Sequence, residues 1–197
     1  MDQMQNKIIK FITDYIPLSE EEITILNEQN LIISYKKNSI LLSQGELAKA
    51  NYFVLKGCVR SYYLIDGEEK TTEFYTENQG VIPVSYVNKQ PSEYYLSCLE
   101  DCILALGTPE RDKALIEKIP KLKSLIMQMN NEMMAQNQIS FDNFKNLSPE
   151  LRYLKFMETR PDLINRVPQY HLATYLGITP ESLSRIRKRI TASNRKK

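Results

Sequence analysis

Seven residues near the C-terminal end have the side-chain types needed to meet a polyanion: Thr179, Glu181, Ser182, Arg185, Arg187, Lys188 and Arg189. On a helix, Glu181, Ser182 and Arg185 share one face through spacings of three and four. A carboxylate there accepts from cytosine N4, and an arginine forks onto guanine O6 and N7. Arg187, Lys188 and Arg189 neutralise phosphates, which adds affinity without reading sequence. Gln169, ahead of this run, is assigned to the same surface. The plainer alternative is a helical hairpin with a solvated basic face.

These residues need a scaffold, and the segment from Val167 to Arg189 supplies one. Leu172, Ala173 and Leu176 form the buried side of a first helix, small Ala173 allowing close helix contact. Gly177 supplies a tight turn, where positive φ costs glycine little. Ile178 plugs the angle between the helices, and Thr179 caps a second helix with Pro180 and Glu181 in its first turn. Leu183 and Ile186 face inward. Together these describe a helix-turn-helix whose second helix points its positive N-terminal end at phosphate.

Other chemistries find less support. Cys58, Cys98 and Cys102 cannot all pair within one chain, and Cys98 and Cys102 with one distant histidine fall short of a four-ligand metal site. Buried or inert thiols are the expectation. His171, the single histidine, is expected at the surface or beside a phosphate. A small β-barrel enzyme of the cupin kind would carry several histidines on its strands, and residues 35–106 carry none. Tyr62, Tyr63, Tyr75, Tyr86, Tyr94 and Tyr95 would suit a pocket lining but are ordinary strand formers. The chain is therefore read as a non-enzyme without cofactor or metal, and a β-domain serving ligand or protein binding without DNA stays open as the alternative.

The net charge of +2 conceals an asymmetry. Residues 144–197 hold twelve Lys/Arg and four Asp/Glu, a net +8, whereas residues 1–143 hold fourteen and twenty, a net −6. One end is built to meet a polyanion and the other is not. No apolar run approaches the ~20 residues of a membrane span, and the first residues lack a signal-peptide pattern. A cytoplasmic protein with no membrane partner is expected.

Ile8, Ile9, Phe11, Ile12 and Tyr15 predict an opening helix that Pro17 ends, and Ser19 caps a second one running through Leu31. Short β-branched and aromatic runs then predict strands at Ser39–Leu42, Tyr52–Leu55, Cys58–Leu64, Lys70–Tyr75, Tyr94–Leu99 and Ile103–Leu106, with a hairpin turn at Ile65-Asp66-Gly67-Glu68. Beyond Pro109 the pattern is helical. A long helix from Pro120 to about Asn143 carries a heptad seam, Leu122, Ile126, Met129 and Met133, suited to a dimer. A second stripe, Met127, Met134 and Phe141, is expected to face the β-domain. Ser148-Pro149-Glu150 starts another helix that Pro161 stops, and the last five residues read as a basic tail.

On these residues the chain resembles the Crp/Fnr superfamily of transcription regulators. Gly45-Glu46 and Tyr52 through Arg60 resemble its cyclic-nucleotide-binding β-roll, the Pro120 helix its dimerisation helix, and Val167 to Ile190 its helix-turn-helix. The resemblance implies an α+β fold: a jelly-roll β-domain over residues 1–119, a dimerisation helix over 120–143 and a helix-turn-helix domain over 144–197, without a full β-hairpin wing. It implies a cytoplasmic homodimer on a palindromic double-stranded DNA site, with RNA polymerase as a further partner of an activator. Glu181 and Arg185 fall where the family's base-reading pair stands, and Pro180 replaces an arginine that often precedes that glutamate. The stretch Gly80-Val81-Ile82-Pro83-Val84-Ser85-Tyr86 lacks the family's Gly-Glu-Leu phosphate turn, and Ser92, beside Glu93 and Pro91, stands at its phosphate-binding arginine. Cyclic AMP is thus not the expected effector. Asn137 and Gln138 stand at the purine-contacting pair. No cysteine precedes Cys58, which removes the family's iron–sulfur branch, and His171 lies in the helix-turn-helix rather than at a haem. The effector is left unassigned.

Overall fold

Two antiparallel sheets packed around one apolar core build most of the first half of the chain. The computed structural model describes residues 3–29 and 32–194. Its elements are α1 (Gln3–Thr13), α2 (Glu20–Glu28), β1 (Ile32–Tyr35), β2 (Ile40–Leu42), β3 (Asn51–Lys56), β4 (Val59–Ile65), β5 (Glu68–Tyr75), β6 (Gly80–Val81), α3 (Val84–Asn88), β7 (Tyr95–Cys98), β8 (Cys102–Gly107), α4 (Pro109–Lys118), α5 (Leu122–Asn146), α6 (Pro149–Thr159), a 3-10 turn (Pro161–Leu163), α7 (Gln169–Tyr175) and α8 (Pro180–Asn194). The strands form two four-stranded sheets, ordered β1-β8-β3-β6 and β2-β7-β4-β5. Antiparallel β8 is flanked by β1, pairing Ile32 with Ala105, and by β3, pairing Phe53 with Ala105. Tyr52, Val54, Leu96 and Leu104 fill the core of this β-roll. At the turn between β4 and β5, Asp66 and Gly67 both take positive φ (53° and 80°), as a two-residue hairpin of the primed type requires.

The chain divides into two compact units. The first comprises the described residues of 1–61 and 74–133, and the second those of 62–73 and 134–194. The division passes through α5, and the outer part of the β4–β5 hairpin belongs with the C-terminal helices.

In the first unit, Ile12, Leu26, Ile119, Leu122 and Leu125 make a second small core. This corrects the expected dimer seam at its beginning. Leu122 is buried and Met129 packs against the same cluster, because α1 and α2 cover the first turns of α5. The long helix starts at Leu122, after a turn at Pro120, and runs three residues beyond the expected end to Asn146. Of the stripe expected to face the β-domain, Met127 in the first unit is 58% exposed, and Met134 and Phe141, in the second, are 68% and 54% exposed. β1, β6 and α3 are elements that hydrophobic periodicity does not signal: β1 shows no alternation of burial, and β6 and α3 are two and five residues long. α2 ends at Glu28, with Gln29 donating back to the Leu26 carbonyl; Leu31, its expected end, lies outside the described residues.

The start of α2 is closed by a reciprocal capping box. Glu22 donates its amide to Ser19 Oγ at 3.2 Å, and Ser19 donates its own to the Glu22 carboxylate at 2.7 Å. Lys121 Nζ reaches the same carboxylate at 2.7 Å and the Pro17 carbonyl at 2.7 Å, tying the approach to α5 onto α2. The Lys121 hydrogen bond, with the Ser19 amide, holds the Glu22 carboxyl below its ordinary value. A depressed folded pKa contributes stability that is complete above the unfolded value, about 4.3, and is lost as pH falls through the folded one. Thermal melts between neutral pH and pH 3 should therefore show a loss of stability that Glu22→Gln makes shallower; equal pH dependence in both proteins would refute the assignment.

Candidate nucleic-acid interface

The second unit brings α7 and α8 together through a turn whose hydrogen bonds are all local. Gly177 takes φ +68° two residues past the end of α7, just beyond its C-cap Leu176. Ile178 donates to the Ala173 carbonyl at 3.0 Å and Gly177 to that of Thr174 at 3.0 Å, the two reversed bonds of a Schellman motif. Space reinforces the choice of glycine. A Cβ here would lie 3.0 Å from the Phe144 ring. Thr179 then opens α8, its Oγ1 accepting from the Ser182 amide at 3.3 Å and donating to Ser182 Oγ at 3.2 Å. The inner face of the pair is sealed by Leu172, Ala173, Leu176, Leu183 and Ile186, all at most 4% exposed.

That packing decides what α8 presents outward. Glu181, Arg185 and Lys188 are exposed along one line of the helix, while Leu183 and Ile186 hold the opposite side. The Glu181 carboxyl lies below its ordinary value, through a hydrogen bond from its own backbone amide and one from Thr179, with Arg185 adding attraction. It is therefore an ionised acceptor. Half-buried Arg187 turns to one flank, where it lines a shallow, open depression of about 370 Å³ with Gln169, Ser184, Lys188, Thr191 and Ala192. Ser184 and Thr191 are members that sequence reasoning did not single out. Their signal was present, since both lie one turn from Arg187 or Lys188 on the same side.

Arg189 goes to the other flank and is separated from its neighbours. Its guanidinium pairs with Glu150 of α6 at 2.6 Å, so its charge is balanced within the unit. Ser182 is likewise engaged, its hydroxyl accepting from Thr179 and its amide capped. α8 continues to Asn194, so two of the five residues expected to form a tail are helical; residues 195–197 lie outside the described set.

His171 departs from expectation. It is 4% exposed rather than at the surface, because α7 turns it toward β5 of the hairpin. Its Nδ1 lies 3.9 Å from the Glu69 carboxylate, and the Thr71 amide donates to Thr174 Oγ1 at 3.2 Å. Burial pushes the nearby Tyr175 hydroxyl well above its ordinary value.

In the first unit, the groups around the expected phosphate position already serve one another. The Val84 amide at the start of α3 donates to Tyr94 Oη at 3.0 Å. Ser85 Oγ accepts from the Ala48 amide at 3.0 Å and donates to the Glu46 carbonyl at 3.4 Å. Ser92, 4% exposed, donates to the Tyr94 carbonyl at 2.8 Å, and its backbone pairs with Gly45 and Glu46. A phosphodiester needs a cation and unspent donors, and these residues do not fit one. Asn137 and Gln138 are exposed on α5, with Gln138 bonded along the helix to Asp142 at 2.9 Å. The three cysteines are buried. A hydrogen bond with Cys102, together with burial, raises the Cys98 thiol far above its ordinary value. Among the described residues no group of three or more His, Cys, Asp or Glu side chains is placed to hold a metal ion, and no helix is long and apolar enough to cross a membrane.

Residues 32–117 match the family model of the cyclic nucleotide-binding domain. No curated protein matches the chain. Among solved structures, FixK2 from Bradyrhizobium japonicum is similar with TM-score 0.69 and 16% identity, over 83% of this chain and 85% of that one. CooA from Carboxydothermus hydrogenoformans gives TM-score 0.68 and 14% identity over 90% and 87%. CLP from Xanthomonas campestris, described as a c-di-GMP-responsive global regulator, gives 0.67 and 17% over 89% and 93%. At these identities what is shared is the fold.

Proposed function

We propose, from the Crp/Fnr-type fold that this chain carries, that it is a sequence-specific DNA-binding transcription regulator acting as a homodimer. The observation that carries this reading is the exposed line Glu181, Arg185 and Lys188 on a helix whose reverse is sealed by Leu183 and Ile186. Glu181 and Arg185 read base edges in the major groove. Lys188, Arg187, Gln169 and the hydroxyls of Ser184 and Thr191 hold the backbone. Thr179 and Ser182 set the start of α8. Arg189 acts mainly as a tie to Glu150.

The dimer forms along the long helix. Met127, Met134 and Phe141 recur at seven-residue spacing and are exposed, flanked by exposed Ile126. Such a row is buried by a second copy of itself in a left-handed coil. This moves the seam from Leu122 and Met129, which the protein's own core uses, to the adjacent stripe. Two recognition helices then enter successive major grooves about 34 Å apart. The effector is not a cyclic nucleotide held as a phosphodiester, because the donors at that place are spent within the chain. RNA polymerase remains a partner only if the regulator activates.

The deciding experiment is selection of bound sites from random DNA, followed by titration of the winner at two salt concentrations. A palindrome with steep salt dependence is expected; failure to enrich any sequence refutes the reading. In the same assay Lys188→Ala should weaken all sequences alike and lower the salt slope by about one. A change confined to the selected site would instead make Lys188 a base reader.

A further inference from the structure

We propose that Phe144 and Arg152 are positioning residues that fix the direction in which α5 delivers the recognition helix, and so set the spacing of half-sites the dimer accepts. The inference rests on the dimeric reading above and deepens it. α5 ends at Asn146 and α6 begins at Pro149, so only Leu147 and Ser148 connect them. A connector of two residues leaves rotatable backbone angles free to swing the helix-turn-helix unless side chains hold it.

Three elements meet at one ring. Phe144 lies on the last turn of α5, and its ring abuts the turn between α7 and α8 at Gly177, where a Cβ would sit 3.0 Å away. Arg152, in the first turn of α6, stacks on that ring with its guanidinium carbon 4.6 Å from the centroid. Its Nη1 also donates to the Phe144 carbonyl at 2.9 Å. That carbonyl is among the last four of α5, which have no partner within the helix. The cation there meets the negative end of the helix and the face of the ring together. Among the described residues Arg152 Nε has no hydrogen-bond acceptor, and Phe144 is 51% exposed. A residue kept for core packing would be buried, and an arginine kept for charge balance would face a carboxylate. This pair does neither; it joins α5, α6 and the turn.

The test uses the full chain and DNA carrying two copies of the selected half-site, their separation varied in single-base-pair steps, beside a single half-site. The native protein should favour one separation. Arg152→Gln and Phe144→Ala should reduce that preference on the order of tenfold with single half-site affinity unchanged, and Phe144→Tyr, which keeps the ring, should restore it. An unchanged separation profile in Arg152→Gln overturns the proposal, as does an equal loss on single and paired sites, which is the mark of a merely structural role. A native protein with no preferred separation overturns the dimeric reading itself, and the positioning role with it.

Discussion

Replacing Arg185 by alanine is expected to abolish most sequence preference while leaving non-specific DNA binding largely in place. The guanidinium is exposed near the centre of the outward line of α8, and its position is set by Leu183 and Ile186 behind it rather than by contacts of its own. Removing it therefore disturbs little of the fold. A bidentate arginine–guanine contact is worth about 1–3 kcal/mol of discrimination, roughly fivefold to 150-fold in affinity for the selected site. Random DNA, held by Lys188 and Arg187, should lose much less. Titration of selected and scrambled duplexes at one salt concentration measures the ratio directly. Equal losses on both duplexes would reassign Arg185 to the phosphate backbone. Glu181 offers a consistency check, since its ionised carboxylate is a single neighbouring acceptor on the same line.

A different failure is expected of Leu183→Ala. Leu183 is fully buried between α7 and α8, and the alanine leaves a cavity that a short, tightly turned pair of helices has little freedom to close. Core truncations of this kind cost about 2–5 kcal/mol, a large share of the roughly 5–15 kcal/mol that holds a protein folded. Selected and random DNA binding should fall together, accompanied by a lower melting temperature. Leu183→Met, which conserves volume, should cost less than about 1.5 kcal/mol and retain binding. The two substitutions on α8 thus separate reading from scaffolding: Arg185→Ala alters the ratio of affinities, whereas Leu183→Ala lowers both. An alanine variant with native melting behaviour would remove Leu183 from the core.

The helix-turn-helix was legible because its determinants are local. Gly177, Ile178 and Thr179 act on neighbours within five residues, through a positive φ, two reversed hydrogen bonds and a cap. The same holds for Ser19 and Glu22 at α2, Ser148 at α6 and the Asp66-Gly67 turn. β2, β3, β4, β5, β7 and β8 were also legible, as short β-branched and aromatic runs. β1 and β6 were not, because they owe their conformation to pairing with β8 and β3, far along the chain.

The candidate site divides along the same line. Which residues of α8 face outward follows from helical periodicity and the inward pull of Leu183 and Ile186, and the sequence determined it, along with the basic end. What each cation does there was decided by tertiary structure. Arg189 meets Glu150 across 39 residues of chain, and Arg187 turns toward the depression that Gln169 completes. His171 is buried because a strand about 100 residues earlier supplies Glu69 and Thr71 beside it. On α5, periodicity offered two apolar stripes, and the heptad spacing assigned the dimer to Leu122, Ile126, Met129 and Met133. α1 and α2 took Leu122 and left Met127 uncovered. Local hydrogen bonding and helical spacing are properties of a few consecutive residues, so the sequence carries them. Which apolar face is spent on the protein's own core, and which charge is balanced inside it, depend on elements brought together from distant parts of the chain, and only the fold sets those.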